Sequence, residues 1–360
     1  MLVTLYIIGI LLGLFRDKSK IVRAYQFIVV WITSVFNTLN ADMGTYRVIY
    51  QGYYGDTYEI GFVFWRHLFS DRGVSFETFW LVSMTLVVLA IFYTTRKLFN
   101  EIHNGAMSLI MIFPLLNMVI TLRNSLANAI VLLAFVWYLK CDTSKLKNKI
   151  LYGIFILVAT SFHYATVFFF VMLVIKEELP SNKSLTRAFI IVFLATIGLN
   201  TPIFTRLLNT VFHTDKVLDW FSSSHRIGLG IILVWGLQII EFYIATYSNR
   251  CHRDQTELND ELSLSIERKI YSLNVFSMFL MGLYTYNMEF FTRIYSVVMM
   301  INVVNNFHLV RKYGRNKYAV YGLWMHVAFI LFVFITLYYG ENFKKISTIF
   351  ENNLLFNRYP

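Results

Sequence analysis

Residues 150–176, ILYGIFILVATSFHYATVFFFVMLVIK, decide how the rest of the chain is arranged. The stretch is apolar at almost every position and carries one imidazole, that of His163, near its middle. As one straight helix it would cross a bilayer with His163 at mid-depth. As two short helices it would turn at residues 161–163 and return both ends to one side. The two interpretations place every later loop on opposite sides of a membrane.

The composition of the whole chain is that of a membrane protein. Of its 360 residues, 57% are hydrophobic and 15% are charged, and the mean hydropathy is +0.56. Apolar runs long enough for a bilayer recur between short polar stretches, which predicts an all-α polytopic membrane protein with one domain over residues 1–360. The net charge of +11 comes from short loops, where it indicates contact with lipid headgroups and excludes a nucleic-acid partner.

The distribution of lysine and arginine selects the hairpin. Basic loops mark the cytoplasmic side of a membrane, and a single crossing at residues 150–176 would put all later basic clusters outside. A hairpin with His163 at its outer tip keeps them inside. The resulting topology has about twelve membrane segments and outer loops near residues 40–74 and 200–227, and a GT-C-like architecture is compatible with it. The basic clusters lie at residues 16–23, 96–97, 140–149, 250–269 and 311–317.

Apolar runs set the boundaries of the predicted membrane segments. The segments include residues 2–15, 24–39, 75–93, 106–117, 125–139, 270–283 and 290–310, with a bend at Pro114 and a turn over residues 118–124.

This topology gathers isolated charges on the outer side. Ionisable groups at membrane depth are costly and tend to mark a substrate path. Arginine presents several fixed donors that suit phosphate, so the group predicts an anionic, phosphorylated ligand approached from outside. The charged residues of the group are Asp42, Arg47, Glu59, Arg123, His163, Glu289 and Arg293.

Ordinary structural roles would also account for these residues. Arg123 would then extend to the interface and fix a turn, His163 would cap its hairpin, and Asp42 would belong to a turn. An ion pair at i,i+4 would explain Glu289 and Arg293, and loop structure would explain Tyr46, Arg47 and Glu59.

Motifs for other chemistry were not found. The chain has no phosphate-cradling glycine loop and no HExxH motif. Cys141 and Cys251 lie beside basic loops without metal-ligand spacing. We therefore expect no disulfide, no metal site and no cofactor.

An ordered set of short motifs resembles the EpsG family of exopolysaccharide polymerases over roughly residues 1–340. The motifs are Asp42-Met-Gly-Thr-Tyr46 with Tyr50, Tyr58-Glu59-Ile-Gly61, Ser75-Phe76, Arg123-Asn-Ser-Leu-Ala127, Ser161-Phe162-His163-Tyr164-Ala165 and Arg293-Ile-Tyr295.

The resemblance implies a Wzy-type polymerase at the outer face of the bacterial cytoplasmic membrane. Such proteins join oligosaccharide repeat units carried on undecaprenyl pyrophosphate into capsule, O-antigen or secreted polymer, alongside a flippase and a chain-length regulator. Within that interpretation Arg123 and Arg293 bind the pyrophosphate, and His163 is the general base with Asp42 as the second candidate. The sugars are assigned to Tyr46, Arg47, Glu59 and Glu289.

Two other functions remain open from the sequence. A membrane glycosyltransferase that uses a polyprenyl-phosphate sugar would add one sugar rather than build a ladder of lengths. A transporter of lipid-linked oligosaccharides would move its substrate without making a glycosidic bond.

Overall fold

The structure is a computed structural model that describes residues 1–175, 261–280, 288–312 and 341–356, with scattered positions between 177 and 246 and between 320 and 331. The secondary structure of these residues is helical apart from an isolated antiparallel bridge between Asn37 and Asn353. The chain divides into two compact units. The first contains Met1–Phe170, Val303–His308 and Ile330–Pro360, and the second contains Val171–Asn302 and Leu309–Phe329.

The helices of the described residues are numbered here in chain order. They are α1 (Leu2–Phe15), α2 (Lys20–Val35), α3 (Met43–Tyr50), α4 (Ile60–Ser70), α5 (Phe76–Lys97), α6 (Asn104–Ile110), α7 (Leu116–Ile120), α8 (Leu122–Tyr138), α9 (Leu146–Phe162), α10 (Glu261–Phe279), α11 (Met288–Lys312) and α12 (Glu341–Glu351), with a π-helical turn at Met111–Leu115 and a 3₁₀ helix at Tyr164–Leu173.

Serine caps set two helix starts. Ser19 Oγ accepts a hydrogen bond from the Val22 amide at 3.3 Å, so α2 begins before the predicted residue 24. Ser75 Oγ accepts from the Thr78 amide at 3.2 Å and starts α5 where the sequence predicted it. Each cap satisfies a backbone donor that the first helical turn leaves without an intrahelical partner.

Proline interrupts the passage from α6 to α7. Phe113 has extended dihedral angles (φ −155°, ψ 135°) immediately before Pro114, because proline disfavours the helical conformation in the residue before it. The predicted bend is confirmed. The predicted turn over residues 118–124 was too wide, since α7 ends at Ile120 and α8 begins at Leu122.

Predicted cytoplasmic loops meet at one end of the first unit. The Asn104 side chain donates to the Arg16 carbonyl at 2.9 Å, and the Lys140 ammonium donates to the Lys97 carbonyl. Three basic loops, near residues 16–23, 96–104 and 140–149, therefore lie together, and we call this the basic end.

The opposite end of the first unit contains the start of α5 and the end of α2. Trp80 Nε1 donates to the Ser34 carbonyl at 3.0 Å, and the Thr38 amide donates to the Asn352 carbonyl at 2.8 Å. The 22 residues of α5 separate this end from the basic end by about 33 Å. The alternation of directions predicted from the basic loops is therefore present in this unit.

The interior of the first unit is polar where helices approach closely, and its outside is apolar. Gln26 Nε2 donates to the Gly9 and Asn104 carbonyls and to Ser108 Oγ, which joins α1, α2 and α6. Small and polar residues of this kind commonly mediate helix contacts in membranes. Large apolar side chains remain exposed on the outer faces of α1 and α9, as a surface in contact with lipid requires.

Helix lengths support part of the predicted topology. Among the described residues, α5 is the one helix long and apolar enough to cross a membrane, and shorter apolar helices occur at Leu2–Phe15, Asn104–Ile120, Leu122–Tyr138 and Tyr164–Leu173. A helical membrane protein is thus supported. The twelve segments, the GT-C-like architecture and the single domain stay predictions.

The decisive stretch breaks where the sequence predicted. Helix α9 ends at Phe162, His163 is extended (φ −158°, ψ 120°), and the 3₁₀ helix follows. Tyr152, in α9, donates its hydroxyl to the Phe169 carbonyl at 3.1 Å within the core. A contact between these positions requires the chain to fold back along α9, as the hairpin does.

In the second unit, α10 begins at Glu261, well before the predicted residue 270, so part of the predicted cytoplasmic loop is helical. Asn274 and Asn302 exchange side-chain hydrogen bonds at 3.0 and 2.7 Å and join α10 to α11. The predicted outer loop at residues 200–227 lies outside the described residues apart from two isolated helical positions.

Candidate active site

A buried carboxylate joins an arginine and a histidine at the end of the first unit that contains the start of α5. Glu59 Oε2 lies 2.5 Å from Arg123 Nη1, and Glu59 Oε1 lies 3.0 Å from His163 Nδ1. The Glu59 and His163 side chains are 5% and 3% exposed, whereas that of Arg123 is 23% exposed. Glu59 therefore holds Arg123 and His163 in place, and Arg123 is the most exposed of the three.

The three side chains come from the ends of three helices. Glu59 immediately precedes α4, Arg123 lies in the first turn of α8, and His163 follows the last residue of α9. Backbone outside a regular helix can direct a side chain across the bundle, so these positions converge although 64 and 104 residues separate them from Glu59.

A close approach between α4 and α9 fixes the distance from Glu59 to His163. A Cβ atom at Gly61 would lie 2.2 Å from Ser161 Oγ and 2.8 Å from the Ser161 carbonyl oxygen. Only glycine allows the helices to touch at this point. Glu59 lies two residues before Gly61, and His163 lies two residues after Ser161, so this contact brings the two motifs together.

Aromatic rings surround the Arg123 guanidinium. Its central carbon lies 4.5 Å from the centre of the Tyr58 ring and 5.9 Å from that of Phe62. The Arg123 amide donates to the Tyr46 hydroxyl at 3.3 Å, and the Tyr46 ring packs 6.2 Å from Trp80. Cation–π contact and the Glu59 pair hold the arginine in one orientation.

Opposing effects set the ionisation of Glu59. Burial of the carboxyl would raise its pKa, but the hydrogen bond from His163 and the charge of Arg123 outweigh burial and lower the pKa to about 2. Glu59 is therefore a carboxylate at any physiological pH. Glu59 can orient the imidazole of His163 and stabilise a positive charge on it. The Arg123 guanidinium, paired with Glu59 through one nitrogen, has further donors that can bind an anionic ligand.

Asp42 and Arg47 have other neighbours on α3. Asp42 directly precedes the helix, and its carbonyl accepts from the Tyr46 amide at 3.0 Å, so it lies one turn from a residue that contacts Arg123. Arg47 forms an ion pair with Glu77 at 3.3 Å and lies over the Phe76 ring. The structure therefore assigns Arg47 to a separate cluster of contacts.

Glu289 and Arg293 lie about one turn apart on α11, in the second unit. The Glu289 side chain is outside the described residues. The convergence of these two residues with the Glu59 cluster stays a prediction.

Sequence reasoning missed the central position of Glu59, which it assigned to sugar binding, and it missed Tyr58 and Phe62 as neighbours of Arg123. The available signal was the grouping of Tyr58, Glu59 and Gly61 within one motif. That grouping gives no distance to a histidine 104 residues away.

The fold and the site define a helical membrane protein with a buried cluster of one carboxylate, one arginine and one histidine. The model of the EpsG family matches residues 20–350, nearly the whole chain, and the chain belongs to this family. The family consists of Wzy-type polymerases, membrane proteins of polysaccharide biosynthesis. The searches of curated proteins and of solved structures gave no match.

Proposed function

We propose that this protein is a glycosyltransferase-type polymerase that joins undecaprenyl-pyrophosphate-linked oligosaccharide repeat units at the outer face of the bacterial cytoplasmic membrane. Membership of the EpsG family supports polymerisation of polysaccharide units. The main support for the proposed catalytic roles is the Glu59 carboxylate, which binds Arg123 with one oxygen and His163 with the other.

Arg123 binds the pyrophosphate of the growing chain in this proposal. Arginine has five N–H donors, and the bond to Glu59 uses Nη1. The Arg123 side chain is 23% exposed, so guanidinium donors that Glu59 does not use can bind a phosphate oxygen. Arg293 is the second candidate ligand of the pyrophosphate.

His163 is the general base. Glu59 accepts from Nδ1, so the proton of the acceptor hydroxyl goes to Nε2. The hydroxyl oxygen of the incoming unit forms a bond to the anomeric carbon of the growing chain. The bond from that carbon to the phosphate oxygen breaks, and undecaprenyl pyrophosphate leaves with the electron pair. Arg123 stabilises the charge that develops on the leaving group.

The other candidates keep supporting roles in the proposal. Glu59 acts as a positioning residue rather than a sugar ligand. Asp42 is the second candidate base, one turn before Tyr46, and Tyr46, Arg47 and Glu289 are candidates for contacts with the sugars.

The orientation follows from charge. The cluster lies at the opposite end of α5 from the basic end, and basic loops remain in the cytoplasm. The cluster therefore faces the outer leaflet, where repeat units arrive after a flippase has moved them and where a chain-length regulator would act.

The direct test uses the purified full-length chain in lipid nanodiscs with a synthetic undecaprenyl-pyrophosphate-linked repeat unit. We expect a ladder of polymer lengths and one undecaprenyl pyrophosphate released per bond formed, with both abolished by His163→Ala. In cells, removal of the gene should leave single complete repeat units on the carrier. Addition of one sugar from a polyprenyl-phosphate donor, or transfer of the lipid across vesicles with no new glycosidic bond, would instead support the two other functions.

A further inference from the structure

Three side chains that commonly bind metals meet at the basic end of the first unit. Glu101 and His103 lie in the loop before α6, His308 lies in α11, and one ligand atom from each is within 4.8 Å of the others. Glu101 Oε2 lies 3.4 Å from His308 Nδ1 and 3.5 Å from His103 Nε2. Two atoms bound tetrahedrally to one zinc ion at its usual bond lengths are about 3.4 Å apart. These separations match two edges of a zinc coordination tetrahedron.

Packing holds His308 in place. Its ring stacks on Phe99 with the ring centres 4.0 Å apart and the planes 3° from parallel. A Cβ atom at Gly105 would lie 2.3 Å from a ring carbon of Phe307, so α6 and α11 are in close contact next to the two histidines. Packing of the surrounding helices therefore holds the two histidines near each other.

A second carboxylate, that of Asp17, lies behind His103. Asp17 Oδ2 is 4.0 Å from His103 Nδ1, and Asp17 Oδ1 accepts from the Gly105 amide at 2.8 Å. Metal-binding histidines usually direct the ring nitrogen that does not bind the metal toward a carboxylate, a carbonyl or water. With Asp17 beside Nδ1, His103 presents Nε2 toward Glu101.

We propose that Glu101, His103 and His308 bind a divalent transition-metal ion, with Zn²⁺ as the best fit. Two imidazoles and one carboxylate are ligands that zinc accepts readily. The Glu101 side chain is 37% exposed, which leaves access for water as the fourth ligand. The ion joins the loop after α5 to α11, positions 207 residues apart in the sequence, and so acts as a structural link distant from the Glu59 cluster.

The sequence-based expectation of no metal site rested on motifs within one segment. Spacing along the chain cannot reveal a ligand that α11 supplies. The competing explanation is an ion pair, in which protonated His103 and His308 share Glu101 without metal. The two explanations differ in whether zinc binds with a defined stoichiometry and needs these residues.

The test uses the full-length chain in nanodiscs, purified with an affinity tag that lacks histidine and stripped with a chelator. Zn²⁺ is added as the chloride, unbound metal is removed, and zinc per chain is measured by mass spectrometry. Competition with a chromophoric chelator gives the affinity. The variants are Glu101→Gln and His308→Gln, both at partly exposed positions, and Asp17→Asn. The control is His67→Gln, which removes an exposed histidine paired with Asp56 and Asp71.

We expect one tightly bound zinc per wild-type and His67→Gln chain. Glu101→Gln and His308→Gln should each weaken binding at least 100-fold, and Asp17→Asn about 10- to 100-fold. Zinc should raise the unfolding temperature of the wild type but not of the Glu101 and His308 variants, whose circular dichroism without metal should match the wild type. Wild-type protein with no stoichiometric zinc, or zinc that both ligand variants bind as tightly, would overturn the proposal.

Discussion

At the scale of single residues, Glu59 shows how neighbours decide the chemistry of a buried group. A carboxylate at 5% exposure would be costly on its own. Arg123 and His163 each approach one of its oxygens, and together they keep it ionised. The same two contacts fix the directions of the arginine and the imidazole, so one residue organises both halves of the proposed reaction.

Glu59→Gln should remove that organisation without changing the side chain's size. We expect polymer formation to fall on the order of 100-fold or more, because His163 loses its carboxylate. Stability should fall by about 2–4 kcal/mol, because Arg123 loses its buried counter-ion and His163 loses its charged hydrogen-bond acceptor. Polymer gels and chemical unfolding measure the two effects, with Asp71→Asn as an exposed control. Wild-type polymer lengths in a Glu59→Gln strain with normal protein levels would reject the assignment.

The pH dependence of stability should reveal the same carboxylate. The pKa of Glu59 falls from 4.5 to about 2 on folding, so its contribution is fully present above pH 4.5 and is lost as the pH falls toward 2. The difference in unfolding free energy between wild type and Glu59→Gln should shrink as the pH falls from about 4.5 toward 2. A difference that stays unchanged between about pH 5 and pH 2 would contradict this origin.

Arg123→Lys keeps the charge and removes the planar guanidinium. We expect polymer formation to fall on the order of 100-fold, because lysine cannot hold Glu59 and a phosphate with fixed donors at once. Arg72→Lys, at an exposed position between α4 and α5, is the matched control and should leave polymer lengths unchanged. Equal activity of the two variants would show that charge alone is sufficient at residue 123.

At the scale of helices, the contact of α4 with α9 links two sequence motifs. Gly61 and Ser161 are the touching residues, and the site residues lie just beyond them. A glycine with this function contributes to activity without contacting substrate.

Gly61→Ala should therefore separate Glu59 from His163. The added methyl group would overlap Ser161 backbone atoms, which cannot rotate away, so we expect destabilisation by about 1–3 kcal/mol together with shortened polymer. Gly44→Ala is the control for stability, because a Cβ there meets nothing within 4 Å and alanine favours a helix. Thermal unfolding in detergent compares the two, and equal melting temperatures would contradict a close contact.

At the scale of the whole molecule, opposite ends of the first unit carry different chemistry. The basic loops and the proposed zinc site occupy one end, and the Glu59 cluster occupies the other. Basic loops lie on the cytoplasmic side of a membrane. We therefore predict that the proposed zinc site lies on the cytoplasmic side and the Glu59 cluster on the outer side.

Cysteine labelling tests that prediction. In a background with Cys141 and Cys251 replaced by serine, Thr57→Cys should react with a membrane-impermeant maleimide on intact cells. Lys147→Cys, exposed at the basic end, should react only after permeabilisation. Both positions are exposed in the structure, so the difference would report the membrane side. Reaction of both from outside, or the reverse pattern, would contradict the outward-facing site.

The sequence by itself determined the membrane character, the alternation of helices around basic loops, and the break at His163. Each of these depends on local properties, since an apolar run, a cluster of lysines or a proline acts through solvent, lipid or the adjacent backbone. The family could also be recognised from the sequence, because its short motifs occur in the expected order along the chain.

Tertiary structure alone decided which polar residues meet. Glu59 lies 64 residues from Arg123 and 104 from His163, and Glu101 lies 207 from His308. Such contacts depend on how closely helices pack, as Gly61 and Gly105 show. No periodicity or composition within one segment encodes the distance between two helices, so the role of Glu59 and the proposed zinc ligands emerged only from the packed fold.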